Sequence, residues 1–218
     1  MKIFSIDSPV YRSMVIMTEF LVLSICWFLG TLMGLGTTIG VSTVAACDVG
    51  MKIVKQEEGY VHRQFWKAYK SNLKQGIPLG LLNILAVYVV YLDFEFFNKT
   101  ENASVFLLIA GMLSAVFFAA CFVYAYPMTA RYENTLPRIL KNSFRICVRF
   151  YGRTFLLFLC LALELGVIFW NFRTMIFGLL FGPAALCLTV CLFTVPILNK
   201  LEAGAEEEKE KTEQANPS

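Results

Sequence analysis

Apolar residues along the chain fall into five blocks, each near the length that crosses a bilayer. They cover about Ser13 to Gly36, Gly76 to Phe97, Ala103 to Ala125, Thr154 to Trp170 and Met175 to Leu198. A helix rises about 1.5 Å per residue, so blocks of about 20 residues match a hydrocarbon core of about 30 Å. Lipid offers no partner to backbone N–H and C=O groups, which forces such blocks into helices. The pattern therefore predicts an all-α fold: a polytopic membrane helix bundle of about five transmembrane helices.

One stretch resists the pattern. Residues 37–55, TTIGVSTVAACDVGMKIVK, are moderately apolar and contain Asp48. They suit a helix inside the bundle mouth, a re-entrant piece, or a sixth span. Glycines at 30, 34, 36 and 40 favour a bend. The preferred reading is a bend followed by a short helix returning along the cytoplasmic face.

The polar connections have their own periodicity. On a helical wheel over 61–75, Val61, Phe65, Trp66, Tyr69 and Leu73 share one side. Arg63, Lys67, Lys70 and Lys74 share the other. A second basic amphipathic segment spans 135–151, with Arg138, Lys141, Arg145 and Arg149 opposite Leu136, Ile139, Leu140, Phe144, Cys147 and Phe150. Thr135 or Asn134 suits its N-cap, and Pro137 its first turn. Both segments are expected as cytoplasmic interface helices with the apolar face toward lipid, Trp66 and Tyr69 at the headgroup level and the cations toward anionic lipid or a partner.

The two segments also align. Lys70-Ser71-Asn72-Leu73-Lys74 resembles Lys141-Asn142-Ser143-Phe144-Arg145, and Pro127 matches Pro196 near the ends of the third and fifth blocks. This suggests a tandem repeat of interface helix, span, span, with units at 57–128 and 132–198. The expected organisation is one integral membrane domain over 1–201. An acidic tail over 202–218, poor in large apolar residues, is expected to be disordered and cytoplasmic.

Composition agrees with the pattern. The 218 residues are 57% hydrophobic and 16% charged, against about 25% charged in a soluble domain. The net charge of +3 averages a basic middle and an acidic end. Six basic residues lie in each of the first and third connections, and one in each of the second and fourth. The positive-inside rule then puts the basic connections and the C-terminus in the cytoplasm, and five spans put the N-terminus outside. Lys2 and Arg12 oppose this assignment. The N-terminal segment lacks signal-peptide features.

Charged groups within spans are functional candidates, because burying them in lipid is costly. Glu19 and Glu164 qualify, as partners for Arg12 or Arg173 or as the lining of a polar cavity. Asn83 suits a helix–helix hydrogen bond. Arg131 and Glu133 lie just beyond the third block, placed to meet the first basic helix or a cytoplasmic partner. The seven cysteines read as small packing residues, and His62 is the one histidine, so no zinc or other metal site is expected. No nucleophile elbow, phosphate-binding glycine loop or nucleic-acid motif occurs. The expectation is a non-enzymatic protein without a cofactor; its oligomeric state, homo-oligomer included, stays open.

Four pieces carry a resemblance: FSIDSPVYR at 4–12, TIGVSTVAA at 38–46, EEGYVHRQFWKAYKSNLKQG at 57–76 and YPMTARYENTLPRILKNS at 126–143. They resemble the YesL-like family of bacterial integral membrane proteins, a domain family of unknown function. That family often has a proline near the end of span one, where this chain has Met33-Gly34. The resemblance implies a Gram-positive plasma-membrane protein associated with carbohydrate transporters or sensor kinases. It supplies no catalytic residues. The leading expectation is an accessory or interaction protein; the alternative is a small transporter or channel using the intramembrane carboxylates.

Overall fold

The computed structural model describes residues 9–34, 36–57, 59–99 and 105–215. Among them are eight helices and no strand: α1 (Pro9–Met33), α2 (Ile39–Val54), α3 (Val61–Ser71), α4 (Leu73–Lys99), α5 (Val105–Arg131), α6 (Leu136–Arg149), α7 (Tyr151–Phe169) and α8 (Phe172–Ala215). Five of these, α1, α4, α5, α7 and α8, are long and apolar enough to cross a membrane. They are the five blocks of the sequence pattern. Their outer faces carry large exposed apolar side chains such as Leu85, Leu113, Leu163 and Leu179, as expected where lipid is the solvent.

The ambiguous stretch becomes α2, and it lies at the centre. It packs against α1, α3, α4, α5 and α8. Val41, Val44, Ala45 and Val49 are fully buried. The preferred reading of a helix along the cytoplasmic face is corrected: α2 is inside the bundle. Its 16 residues are rich in Gly, Ala, Ser and Val, and this has a physical cause. A helix surrounded by other helices needs small residues for close approach more than it needs apolar bulk. Gly40 meets Gly76 and Gly80 of α4 backbone to backbone, so α2 and α4 touch with no side chain between them. The expected bend is present before α2, where Gly36 adopts a φ of 86°.

The senses of the helices differ from the five-span topology. Val15, Ile16 and Glu19 share a groove with Leu188 and Leu192. Ser24 Oγ accepts the Ala184 N–H at 3.3 Å, and Trp27 and Phe28 line a cavity with Leu179 and Pro183. Contacts descend along α8 as they ascend along α1, so the two helices run in opposite senses. An outside N-terminus with a cytoplasmic C-terminus needs them to run the same way. The central α2 reverses the chain between α1 and α3 and removes that requirement.

Both amphipathic segments are helical but shorter than the wheel suggested. Asn72 caps α3, its Nδ2 donating to the Ala68 carbonyl at 2.9 Å, and Lys74 and Gln75 begin α4. Thr135 is the N-cap residue of α6 without a side-chain capping bond, and Pro137 sits in the first turn. In both halves a short amphipathic helix is followed by two long apolar ones, with Pro127 in α5 and Pro196 in α8.

The tail expected as disordered from 202 continues α8 as helix to Ala215. Its run of Glu, Lys, Gln and Ala consists of strong helix formers. Residues 216–218 and Lys2 lie outside the described residues.

Candidate functional site at the basic end of the bundle

The apolar face of α3 does not face lipid. Val61, Phe65, Ala68 and Tyr69 are buried in the bundle, and the Tyr69 hydroxyl donates to the Gly30 carbonyl of α1 at 3.0 Å. Trp66 is half-buried, with its ring 5.6 Å from that of Phe65 and 5.4 Å from that of Tyr69. Tyr69, expected at the headgroup level, is corrected to a buried packing residue bonded to α1, with Trp66 packed beside it. A helical wheel finds the apolar side but cannot tell lipid from protein as its cover. In α6, Ile139 and Ile146 are likewise buried, whereas Phe144 and Val148 remain exposed.

With the apolar face of α3 occupied and that of α6 partly so, the cations stand out. Arg63, Lys67, Lys70, Lys74, Arg138, Lys141, Arg145 and Arg149 are all exposed. Arg63 lies over the Tyr60 ring at 5.3 Å and Arg149 over Phe150 at 5.9 Å. Among the described residues none of the eight makes an ion pair.

The same end of the bundle holds a polar cavity of about 560 Å³ between α2, α3, the start of α4 and the end of α5. Lys52, Lys67, Lys74 and Arg131 supply its positive charges, Asp48 and Glu133 its negative ones. Lys52 is pinned to Asp48 at 2.6 Å. A second recess, of about 440 Å³, lies beyond Tyr132 and is lined by Asn142, Arg145, Arg149 and Glu202.

Arg131 and Tyr132 form the wall between the two. Arg131 Nη2 donates to Asn199 Oδ1 at 2.9 Å and pairs with Glu202 Oε2 at 2.5 Å. The Tyr132 hydroxyl donates to Glu202 Oε1 at 2.5 Å. Glu202 is thus clasped by both neighbours at the end of α5. Burial, then the bond to Glu202 and the charge of Glu202, push the Tyr132 phenol up to about 12, against the lowering effect of Arg131. Arg131 Nη1 is buried with no hydrogen-bond partner among the described residues. Arg131 therefore meets α8, not the first basic helix, and Glu133 is an exposed cavity residue.

The intramembrane candidates lie apart. Asn83 Nδ2 donates to the Tyr126 hydroxyl at 2.6 Å, the helix–helix bond expected of it, between α4 and α5. Glu164 Oε1 accepts from Thr189 Oγ1 of α8, while Oε2 is buried without a partner. Its partner is thus Thr189 and not Arg173. Glu19 lines a different groove, with Ile53, Glu57 and Gln64; the Arg12 side chain lies outside the described residues.

Sequence reasoning missed two features. Cys47 is in side-chain contact with both Cys187 and Cys191, whose Sγ donates to the Cys47 carbonyl at 3.4 Å. The spacing of Cys187 and Cys191, one helical turn, was the available signal. The Arg131–Glu202 pair joins residues 71 apart, and only the acidic charge of Glu202 beside a basic end hinted at it.

No curated protein and no solved structure matches the chain. Residues 20–94, from the first span into the second, match the family model described as "Protein of unknown function, DUF624", the same uncharacterised family to which the YesL-like motifs point.

Proposed function

We propose that this is a non-enzymatic membrane accessory protein whose exposed basic helices, α3 and α6, dock an acidic segment of a neighbouring membrane protein at the cytoplasmic surface. The observation that carries the reading is the division of labour within those helices. The apolar face of α3 and the Ile139–Ile146 stripe of α6 are used in packing, and among the described residues the cationic rows form no ion pair. A transporter or sensor kinase of the kind implied by the family resemblance is the expected class of partner. By the charge rule the basic end is cytoplasmic, and the opposed senses of α1 and α8 bring the start of α1 to that side as well, in agreement with Lys2 and Arg12. The reading of a small transporter draws on Glu164 Oε2, buried with no hydrogen-bond partner among the described residues, while Glu19 lines a groove on the α1–α8 side that Glu164 does not share.

The test is cross-linking from native membrane with a photoreactive residue in place of Lys70 or Lys141. Adducts to one membrane protein are expected, and they should weaken when Arg138, Lys141, Arg145 and Arg149 are replaced by Gln. Adducts confined to lipid, or unchanged by the replacement, would remove the proposal.

A further inference from the structure

The polar cavity between α2, α3 and α5 takes Lys67 and Lys74 from the exposed row and adds buried groups to them, so its chemistry is more selective than that of the row alone. We propose that it binds a phosphate-bearing ligand, with Lys67, Lys74 and Arg131 as the binding cations and Glu133 as an acceptor for a ligand hydroxyl.

The charge balance comes first. Lys52 is held by Asp48, and Arg131 shares its charge with Glu202. Lys67 and Lys74 then bring two uncompensated positive charges to the cavity, against one negative charge on Glu133. A phosphomonoester carries about −1.5 to −2 at neutral pH and three acceptor oxygens, so it answers this surplus better than a carboxylate does. The side-chain amides of Gln64 and Gln75 line the same space and can add further contacts to a phosphate or its hydroxyls. The volume of about 560 Å³ is that of a small-molecule site.

The second observation is Arg131. One guanidinium nitrogen is bonded to Asn199 and Glu202, and the other is desolvated with no acceptor. A buried guanidinium nitrogen without a partner is costly, and a phosphate oxygen is the acceptor that its planar fork fits best. The clasp on Glu202 fixes the orientation of that fork before any ligand arrives.

Two sources share this chemistry: a soluble phosphorylated molecule and a phospholipid headgroup entering from the membrane surface. Glycerol 3-phosphate tests the first and phosphatidic acid the second. The full chain in nanodiscs of neutral lipid is titrated calorimetrically with glycerol 3-phosphate, and with glycerol as the control, at matched ionic strength. In parallel, its thermal unfolding is followed in nanodiscs with and without phosphatidic acid. Lys67→Gln/Lys74→Gln removes the cavity cations at exposed positions, where folding is spared. Lys70→Gln removes a neighbouring cation that does not line the cavity.

In whichever arm binding appears, the double variant is expected to weaken it by about tenfold or more, because two charge-assisted contacts are lost. Lys70→Gln should leave it unchanged. Binding in the soluble arm alone identifies a soluble phosphate, and binding in the lipid arm alone a headgroup. If neither arm separates the wild type from the double variant, or if Lys70→Gln weakens binding equally, the cavity is not a phosphate site.

Discussion

Gly40→Ala should be the most damaging single methyl that can be added to this protein. A Cβ at Gly40 would overlap the Gly76 carbonyl oxygen and lie 2.5 Å from Gly80 Cα and 2.6 Å from Gly80 N. Ordinary carbon contacts begin near 3.5 Å, so α2 and α4 must separate by roughly 1 Å. Nothing can swing aside, because the atoms opposite are backbone. Overpacking in a core costs about 1–3 kcal/mol, and this site belongs at the top of that range, near 3 kcal/mol. The separation would also loosen Val41 and Leu79, both fully buried nearby. Gly80→Ala probes the same contact from the other side, at 2.8 Å from Gly40 Cα. Gly152→Ala is the control: an added methyl meets nothing within 4 Å there, and a helix gains about 1 kcal/mol from Ala over Gly. Thermal unfolding in nanodiscs should show large, similar losses for the two α2–α4 variants, and no loss for Gly152→Ala. The double Gly40→Ala/Gly80→Ala variant should fall short of the sum, since both methyls force the same gap. A Gly40→Ala protein that melts with the wild type would refute the backbone contact and the central placement of α2.

Two more expectations follow from the polar contacts. The Tyr132 phenol is raised from 10.0 to about 12, so the folded state holds that proton more tightly than the unfolded one. Its contribution to stability is complete below about pH 10 and is lost as pH rises toward 12; Glu202→Gln should move the phenolate absorbance transition of Tyr132 to lower pH. In the membrane, Glu164→Gln keeps an acceptor for Thr189 and supplies an amide in place of the unpartnered oxygen, so folding and partner cross-linking should match the wild type. Loss of either with normal expression would show that the carboxyl itself is required.

Much of the architecture could be read before any coordinates. The five spans are legible because lipid allows no other solution for 20 apolar residues, and Asn83 because an amide in a span seeks another helix. What stayed hidden depends on which surface covers which. Val61, Phe65 and Tyr69 mark an apolar stripe, but lipid and protein are equally apolar covers, and the choice rests on long-range packing such as Tyr69 on Gly30. Residues 37–55 read as ambiguous for the same reason: with Asp48 and Lys52 in a 16-residue helix, only the surrounding helices decide that it sits inside the bundle. The cavity is legible only in pieces. Lys67 and Lys74 appear as part of a row, whereas Arg131, Asp48 and Glu202 come from three other helices, and no local pattern relates them. The helical tail was misjudged by weighing its lack of apolar residues above its helix propensity.

The unbroken run of α8 has a mechanical consequence. Its 44 residues make a rod of about 66 Å, roughly twice the thickness of the hydrocarbon core. Cys191 seats the rod against the central α2, and the Arg131–Glu202 clasp holds it where it leaves the bundle. The 13 residues from 203 to Ala215 extend about 20 Å past that fulcrum. A load applied to the far end acts through that arm on the clasp, and beyond it on Pro196, where the missing N–H makes a helix easiest to bend. Release of Glu202 would shift the pivot inward to Cys191, and the load would then bear on α2, the one helix that touches most of the others.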